Sequence, residues 1–244
     1  MSKVLLVTGA SRGIGAATAK LAASRGYDVA VNYLRDAKAA DAVVAAIKAA
    51  GRRAVAIQGD MAQEADVARV FATIDKELGS LTHLVYNSGT TGTNSRVEAA
   101  DVAMMREVIE LNVLGALMCV KAAIPRMSVK HGGQGGAIVL ISSAAATLGG
   151  PGEYVWYAAS KGATDSMTYG LSKELAADAI RVNAIQPGLI ETGIHPPGRL
   201  ERMAPLVPMG RAGSPEEIAE SILFLLSDAS SYTTGTVLRV AGGR

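Results

Sequence analysis

The sequence predicts a single α/β domain with a doubly wound, mostly parallel seven-stranded sheet and helices on both faces. Short β-branched runs alternate with longer helical stretches along all 244 residues, and no linker rich in Pro, Gly or Ser divides them. A glycine-rich turn joins the first run to the first helix. Such alternation requires parallel strands joined by crossover helices. Because ligands bind these sheets beyond the carboxyl ends of the strands, we expect functional residues directly after strands.

Each predicted element follows from its periodicity. Seven apolar runs have the length and β-branched content of buried strands, at residues 3–8, 28–33, 53–58, 83–87, 136–142, 180–186 and 236–241. The intervals carry helical periodicity, at residues 16–26, 36–51, 63–78, 101–128, 157–178 and 214–228. The last helix has Ser214 as a predicted N-cap and Pro215 at its first position.

Composition excludes several classes of protein. Lysine and arginine number 24 against 22 acidic residues, so the net charge of +2 provides no basic face for nucleic acid. Cys119 is the only cysteine, which excludes an intrachain disulfide or thiolate cluster. His83, His131 and His195 lack metal-ligand spacing. The N-terminal apolar run is too short for a signal or a membrane span. We expect a cytoplasmic protein without metal, membrane or nucleic-acid partners.

The segment "TGASRGIG" (8–15) is a candidate dinucleotide-binding loop. Gly9 permits a tight turn, Gly13 allows the backbone to approach a pyrophosphate, and Gly15 lets the helix pack near the strand. The spacing G-x-x-x-G-x-G differs from the commoner G-x-G-x-x-G. Taken alone it also suits a simple tight turn, but its position between the first strand and first helix favours nucleotide binding.

The end of the second strand is expected to contact the adenine ribose. An acidic residue there would bind the 2′-hydroxyl of NAD, whereas basic residues would bind the 2′-phosphate of NADP. Asn32 and Tyr33 occupy this place, with Arg35 beyond them and Arg12 in the glycine loop, and this set predicts NADP. The alternatives are that both arginines are simply solvated and that Asp36 reaches the ribose.

The segment "YVWYAASKG" (154–162) contains two tyrosines, of which only one has a lysine four residues later. Tyr157 and Lys161 share a helix face at this spacing, whereas Tyr154 has Ala158 at the same distance. A nearby ammonium is expected to lower the pKa of Tyr157 from about 10, making it a general acid or base. The pair also arises by chance in structural helices. Tyr154 is expected to pack or to form the pocket rim.

Several segments together resemble the short-chain dehydrogenase/reductase family over essentially the whole chain. They are, in the family's order and spacing, "TGASRGIG", "YNSG", "LNVLG", "ISSAAA", "YAASK", "IRVNAIQPG" and "VAGG". The resemblance implies a Rossmann-like fold, a nicotinamide cofactor and an Asn-Ser-Tyr-Lys tetrad. One departure is that the family's Asn-Asn-Ala-Gly reads "YNSG", so a supporting bond between strand and helix is expected to change.

The resemblance implies a role for each member of the tetrad. Tyr157 would protonate the substrate carbonyl oxygen, and Lys161 would lower the pKa of Tyr157 and bind the nicotinamide ribose. Ser143 would orient the carbonyl, with Ser142 as the neighbouring alternative. Asn112 would hold a water linking Lys161 to solvent, or would bond backbone at a helix kink.

The resemblance also implies the cofactor contacts. Among them, Asp60 would touch the adenine, and the residues after the sixth strand would hold the nicotinamide carboxamide. The full set is Gly9, Ser11, Arg12, Gly13, Ile14, Gly15, Asn32, Tyr33, Arg35, Asp60, Met61, Asn87, Gly89, Tyr157, Lys161, Pro187, Gly188, Ile190 and Thr192.

The predicted activity is hydride transfer between NADP(H) and a small carbonyl or alcohol. Two family branches are similar, the 3-oxoacyl-carrier-protein reductases and the glucose dehydrogenase type. Asp178 stands near the place where the first branch has an arginine, and it would repel an acidic carrier. A non-catalytic NADP-binding regulator and an isomerase or dehydratase with the same tetrad are the alternatives.

Two further expectations concern substrate and assembly. The segment at about 190–213, which includes His195, falls at the family's substrate loop and has the composition of a lid, and Trp156 would face the pocket or the core. The resemblance implies a homotetramer formed through helices 101–128 and 157–178, where small residues such as Gly115 allow close approach.

Overall fold

A computed structural model describes residues 3–193 and 197–244 as one seven-stranded sheet in which every strand pair is parallel. The strand order is β3-β2-β1-β4-β5-β6-β7. The strands are β1 (Lys3–Val7), β2 (Tyr27–Tyr33), β3 (Ala54–Gln58), β4 (His83–Tyr86), β5 (Gly136–Ile141), β6 (Ile180–Pro187) and β7 (Val237–Val240). The predicted fold class is confirmed.

Helices cover both faces of the sheet, because the strands are apolar on both sides. The α-helices of the described residues are α1 (Gly13–Ser24), α2 (Ala37–Ala49), α3 (Glu64–Glu77), α4 (Val102–Ile109), α5 (Gly115–Met127), α6 (Ala145–Leu148), α7 (Val155–Glu174), α8 (Arg199–Met203) and α9 (Pro215–Leu226). One apolar core lies under α1, α2 and α9, and a second lies under α3 and α5 on the opposite face. Ser214 caps α9 as predicted, in a capping box with Glu217.

The strand order reverses at β1, and this reversal positions the site. The chain leaves β1 toward β2 and β3, then returns to place β4 on the other side of β1. The loops after β1 and β4 therefore diverge and open a crevice between them at the carboxyl edge of the sheet. This is the place where open parallel sheets bind ligands.

The predicted helix 101–128 is interrupted. A π-helical turn (Glu110–Leu114) separates α4 from α5. The Asn112 amide accepts a hydrogen bond from the Thr90 backbone N–H and donates to the Thr90 carbonyl. The Tyr86 hydroxyl donates to the Leu111 carbonyl. The wide turn leaves backbone and side-chain groups free to bond with residues at the end of the neighbouring strand. Such π-bulges are frequent at functional sites.

The stretch Val102–Met127 is also long and apolar enough to cross a membrane, judged by length and composition alone. Its apolar residues Val108, Ala116, Cys119, Val120, Ala123 and Met127 are buried in the protein itself. Val102, Ile109 and Leu117 of the same stretch are exposed, so its burial in the protein is partial.

The glycine at the start of α5 allows this helix to pack closely on the end of β4 and the loop after β3. A Cβ on Gly115 would lie 2.6 Å from the Met61 carbonyl oxygen and would also collide with the Tyr86 hydroxyl. Gly115 is therefore required for packing within the subunit, whatever it contributes to assembly.

Replacing this glycine is expected to destabilise the fold. Gly115→Ala should lower the free energy of unfolding by about 2 kcal/mol, because backbone must move to admit the methyl group. Gly170→Ala is the matched control, since a Cβ there on α7 meets nothing within 4 Å. That variant should gain about 0.5 kcal/mol from reduced unfolded-state entropy. Urea denaturation of both variants measures the difference, and equal stabilities would contradict the packing argument.

Candidate active site

A groove of about 1520 Å³ runs along the carboxyl edge of the sheet, from the loop after β2 to the N-terminal end of α7. Most residues predicted from the sequence line it. They are Gly9, Ser11, Arg12, Gly13, Ile14, Asn32, Arg35, Asp60, Met61, Asn87, Gly89, Ser143, Tyr157, Lys161, Pro187, Gly188, Ile190 and Thr192. Three members of the predicted set do not line it, Gly15, Tyr33 and Asn112.

Two asparagine amides hold the glycine loop from opposite sides. Asn87 Nδ2 donates to the carbonyls of Thr8 and Gly9 at 2.9 and 3.0 Å. Asn32 Oδ1 accepts from the Gly9 N–H at 3.2 Å, and its Nδ2 donates to the Gly59 carbonyl at 3.0 Å. Asn32 lines the groove, but its amide bonds backbone, so it supports the loop rather than presenting free polar groups to a ribose.

Thr8 is a supporting residue that the sequence reasoning missed. Its hydroxyl accepts hydrogen bonds from the backbone N–H groups of Asn87 and Ser88, both at 2.9 Å. This ties the end of β1 to the end of β4. The only sequence signal was a threonine directly before the first glycine of the loop.

The glycines of the loop have separate structural roles, of which the turn at Gly9 and the close packing at Gly15 match the sequence prediction. Gly9 and Gly13 adopt positive φ angles of 60° and 56°, a conformation that favours glycine. A Cβ on Gly15 would lie 2.6 Å from the Gly9 carbonyl oxygen, so only glycine allows α1 to start this close to β1. No side chain caps the N-terminus of α1 and no acidic residue occupies its first turn. Its N–H groups and positive dipole end therefore suit an anion.

Around the end of β2, Arg35 and Arg12 of the glycine loop face solvent, whereas Asp36 and Tyr33 have bonding or packing partners. Arg12 and Arg35 are exposed and line the same end of the groove. The Asp36 carboxylate accepts from the Ala39 N–H at 2.9 Å and caps α2. The Tyr33 ring packs against the apolar core, which is why it does not line the groove.

The loop after β3 contributes two predicted residues. The Asp60 carboxylate accepts from the Ala62 N–H at 2.9 Å, which fixes the turn. Met61 is buried, and its sulfur lies 3.6 Å from the Cys119 thiol. Both residues line the wall of the groove near the two arginines.

At the opposite end of the groove, Tyr157 hydrogen-bonds Ser143, and Lys161 lies one helical turn behind. Burial raises the pKa of Tyr157 to about 12, while the Ser143 hydrogen bond opposes that rise. Lys161 Nζ donates to the Ile141 carbonyl at 2.7 Å and lies 5.6 Å from the centroid of the Tyr157 ring. Burial lowers the pKa of Lys161 to about 8.

This arrangement corrects the expectation that Lys161 lowers the pKa of Tyr157. The ammonium is directed at the Ile141 carbonyl and the ring face rather than at the hydroxyl, so Ser143 is the group that lowers the tyrosine pKa. Desolvation changes the pKa of Tyr157 more than the Ser143 hydrogen bond does. Tyr157 is therefore protonated throughout the physiological pH range in this state.

The two adjacent serines after β5 have different roles. Ser142 is buried, and its Oγ donates to Asp165 Oδ1 at 2.6 Å. Ser143 faces the groove and bonds Tyr157. Of the two serines, Ser143 is therefore the one beside Tyr157.

Asn112 matches the alternative that the sequence left open. Its side chain is buried at the π-turn, and its Nδ2 donates to Ser160 Oγ at 2.9 Å in addition to its bonds with Thr90. The amide thus links the loop after β4 to α7 and stands behind the groove.

The rim of the groove contains a charged triangle that the sequence reasoning missed. Arg199 of α8 donates to Glu153 Oε1 at 2.7 Å and to the Tyr154 hydroxyl at 2.8 Å. The Tyr154 ring meets the Tyr157 ring edge-on, with centroids 5.5 Å apart. Tyr154 is thus at the pocket rim, as expected. Arg199 gave no signal beyond its position in the predicted substrate loop.

Described residues of the segment after β6, among them Ile190, Thr192 and Arg199, line the groove. The backbone of Glu191 pairs with Gly213, and Gly213 pairs with Leu189, each at 2.9 Å, which joins the two ends of the predicted substrate loop. Trp156 donates its indole N–H to the Thr91 carbonyl and does not line the groove, so it belongs to the core. His195 lies outside the described residues.

A glycine loop at a topological switch point, with a tyrosine and lysine at the other end of the groove, defines a Rossmann-like oxidoreductase. The chain matches, over residues 9–244, the family described as Enoyl-(Acyl carrier protein) reductase. It is 47% identical over 245 residues to the uncharacterized oxidoreductase YgfF of Escherichia coli (strain K12), covering 99% of each chain.

Two other relatives have more specific descriptions. The chain is 38% identical over 245 residues to a 3-oxoacyl-[acyl-carrier-protein] reductase of Synechocystis sp., covering 99% of this chain and 96% of the relative. A short chain dehydrogenase from Burkholderia cenocepacia J2315, solved in complex with NADP, superposes with a TM-score of 0.92 at 34% identity, covering 99% and 97%. The chain belongs to the short-chain dehydrogenase/reductase family.

The low pKa of Lys161 predicts how stability depends on pH. Folding depresses this pKa from 10.5 to about 8, so the unfolded state holds the proton more tightly in that range. Wild-type stability should therefore rise relative to Lys161→Met by about 3 kcal/mol between about pH 8 and 10.5. Lys173→Met, an exposed lysine of α7, is the control and should show no such trend. Chemical denaturation across this range measures both, and parallel curves for all three proteins would refute the assignment.

Proposed function

We propose that the protein is an NADP(H)-dependent oxidoreductase that transfers hydride between nicotinamide and a carbonyl or alcohol substrate, with Tyr157 as the general acid and base. The observation that carries this proposal is the convergence of Tyr157, Ser143 and Lys161 at one end of the groove whose other end is the glycine loop. That arrangement combines a nucleotide site and a proton donor in one cavity.

The residues present fit such a cofactor. Gly9 and Gly13 leave no side chain over the loop, and the uncapped α1 N-terminus offers N–H donors to a pyrophosphate. Arg12 and Arg35 would bind a 2′-phosphate, and Asp36, which also lines the groove, has its carboxylate engaged as the cap of α2. Pro187, Gly188, Ile190 and Thr192 would hold the nicotinamide end. The bound cofactor supplies the hydride.

The chain's own residues supply the proton and the orientation. In the reduction direction the substrate carbonyl oxygen accepts a hydrogen bond from Ser143 and takes the Tyr157 proton as the carbonyl carbon gains a hydride. The protonated state of Tyr157 at neutral pH suits it to act as the acid. The Lys161 ammonium would bind the nicotinamide ribose, the other role that the family resemblance implies for it. For alcohol oxidation the Tyr157 phenolate removes the hydroxyl proton.

Reduction of a 3-oxoacyl thioester is the second candidate. Asp178 was expected to repel an acidic carrier, but its carboxylate is buried and bonded to Ser128 and Lys130, the latter at 2.8 Å. It therefore presents no free negative charge, and that expectation is wrong. A relative described as a 3-oxoacyl-[acyl-carrier-protein] reductase supports keeping this substrate class.

Homotetramer formation and a cytoplasmic location belong to the same proposal. Apolar side chains are exposed along α4 and α5, at Val102, Ile109 and Leu117, and on α7 at Val155 and Tyr169. Burial of these side chains against another copy would remove apolar surface from water. The buried, unpaired Cys119 suits a reducing compartment.

Exchange of one hydroxyl tests the mechanism. Tyr157→Phe should lower kcat by at least about 100-fold because phenylalanine has no hydroxyl proton to give to the carbonyl oxygen. Tyr154→Phe is the matched control, since it removes a hydroxyl from the adjacent ring, and its kcat should stay within about fivefold of wild type. NADPH oxidation is followed against ketones, aldehydes, quinones and 3-oxoacyl thioesters.

The outcomes separate the candidates. Tyr157-dependent turnover with one carbonyl class supports the proposal, and turnover confined to thioesters selects the second candidate. Wild-type turnover in Tyr157→Phe refutes the role of this tyrosine. Tight NADPH binding without turnover on the whole panel would instead support a regulator, and turnover of a substrate without net change in nicotinamide would support an isomerase or dehydratase.

The exposed arginine after β2 is expected to set the cofactor preference. Arg35→Ala should weaken NADPH binding by about 10- to 100-fold, the effect of losing charge-assisted bonds to a phosphate. The dissociation constant for NADH, which lacks the 2′-phosphate, should be unchanged and serves as the internal control. Fluorescence titration measures both constants. An equal loss for both nucleotides would place the arginine away from the 2′-phosphate.

A further inference from the structure

Asp165 is a half-buried acid on α7, one turn beyond Lys161, to which none of the family motifs assigns a function. Its Oδ1 accepts from Ser142 Oγ at 2.6 Å, and its Oδ2 accepts from Gln186 Nε2 at 2.7 Å. Ser142 follows β5 and Gln186 lies near the end of β6. One carboxylate therefore joins the catalytic helix to the ends of two neighbouring strands.

The strand end that Asp165 holds is the one that carries the catalytic serine. The Ile141 carbonyl accepts from Lys161 Nζ at 2.7 Å, and Ser142 Oγ also lies 3.2 Å from the Lys161 carbonyl oxygen. The Ser142 N–H donates to the Ile185 carbonyl at 2.8 Å. Ser143 is the next residue. Its position relative to Tyr157 is thus set by the bonds that fix Ser142.

The two positively charged side chains that act on Asp165 differ in their exposure to solvent. Lys161 on its own helix is 4% exposed, whereas Arg239 of β7 is exposed and reaches the network by donating to Gln186 Oε1 at 3.1 Å. Burial lowers the pKa of Lys161, and the negative charge of Asp165 opposes that change. Burial raises the pKa of Asp165, and the bonds from Ser142 and Gln186 and the charges of Lys161 and Arg239 oppose it. Each group therefore favours the ionised form of the other.

A buried lysine needs such compensation if it is to stay charged at neutral pH. The Ile141 carbonyl accepts one of its hydrogen bonds but carries no net charge. Glu153, the acid of the rim triangle, is already paired with Arg199. Asp165 is the carboxylate whose charge acts on Lys161 among the described residues.

We propose that Asp165 is a positioning residue for the catalytic pair, whose carboxylate keeps Lys161 protonated and, through Ser142, holds the end of β5 so that Ser143 faces Tyr157. This inference rests on the proposed function, since it concerns the residues to which that function assigns the chemistry. Asp165 itself does not line the groove.

The pH dependence of turnover distinguishes this role from simple packing. In Asp165→Asn the ammonium of Lys161 loses its counter-charge and deprotonates at lower pH. The alkaline limb of kcat/KM for carbonyl reduction should therefore move down by about one pH unit. Asp165→Glu, which restores the charge, should recover most of that limb. Ser142→Ala removes the bond but not the charge, so it should lower kcat without moving the limb.

Asp178→Asn is the matched control. Like Asp165, Asp178 accepts a hydrogen bond from a serine, here Ser128, and it is bonded to Lys130 as well, but it lies beyond the far end of α7. The Asp178→Asn variant should be less stable than wild type in thermal denaturation, but the alkaline limb of its kcat/KM profile should not move. If both asparagine variants move the limb equally, or neither does, the proposal for Asp165 is overturned.

A binding measurement separates this proposal from the proposed function. The dissociation constant for NADPH, measured by fluorescence from pH 6 to pH 10, reports the Lys161 charge at the nicotinamide ribose without turnover. For Asp165→Asn it should begin to rise at a lower pH than for wild type. If wild type shows no Tyr157-dependent turnover, the proposed function fails while this readout still tests Asp165. If wild type turns over normally and both profiles of Asp165→Asn match it, only the Asp165 inference fails.

Discussion

The parallel pairing of all seven strands is the constraint on which the rest of the structure depends. Because every strand points the same way, the loops that follow them meet at one edge of the sheet, and the reversal of strand order at β1 opens that edge into a groove. Side chains far apart in the chain, such as Arg12 and Tyr157, thereby line one cavity. The apolar cores on both faces hold the edge in place, so the groove is formed by rigid elements.

Within this frame, buried polar groups shape the site by bonding the backbone. Asn32 and Asn87 clamp the glycine loop, and Asn112 joins the loop after β4 to α7. Each amide satisfies donors or acceptors that would otherwise be costly to bury. These residues sit at positions where the family resemblance implied ligand contacts. Their geometry shows how a loop with few side chains can be rigid enough to bind phosphate groups.

The pKa shifts of Tyr157 and Lys161 follow from the same burial. Desolvation raises the pKa of Tyr157 and lowers that of Lys161, so both groups are pushed toward their neutral forms. Ser143 opposes the shift of the tyrosine, and Asp165 opposes that of the lysine. Tyr157 is therefore protonated at neutral pH, and the negative charge of Asp165 favours the charged form of Lys161.

The sequence by itself determined the order of strands and helices, the glycine loop and the choice of Tyr157 over Tyr154, because these depend on local periodicity and on residues a few positions apart. Only the tertiary structure decided where Lys161 directs its ammonium, which serine meets Tyr157 and how Asp178 is neutralised. It also revealed the Arg199 triangle and the Asp165 network, each joining separate elements. Hydrogen bonds and desolvation act between groups that are close in space, and their distances along the chain carry no signal of that closeness.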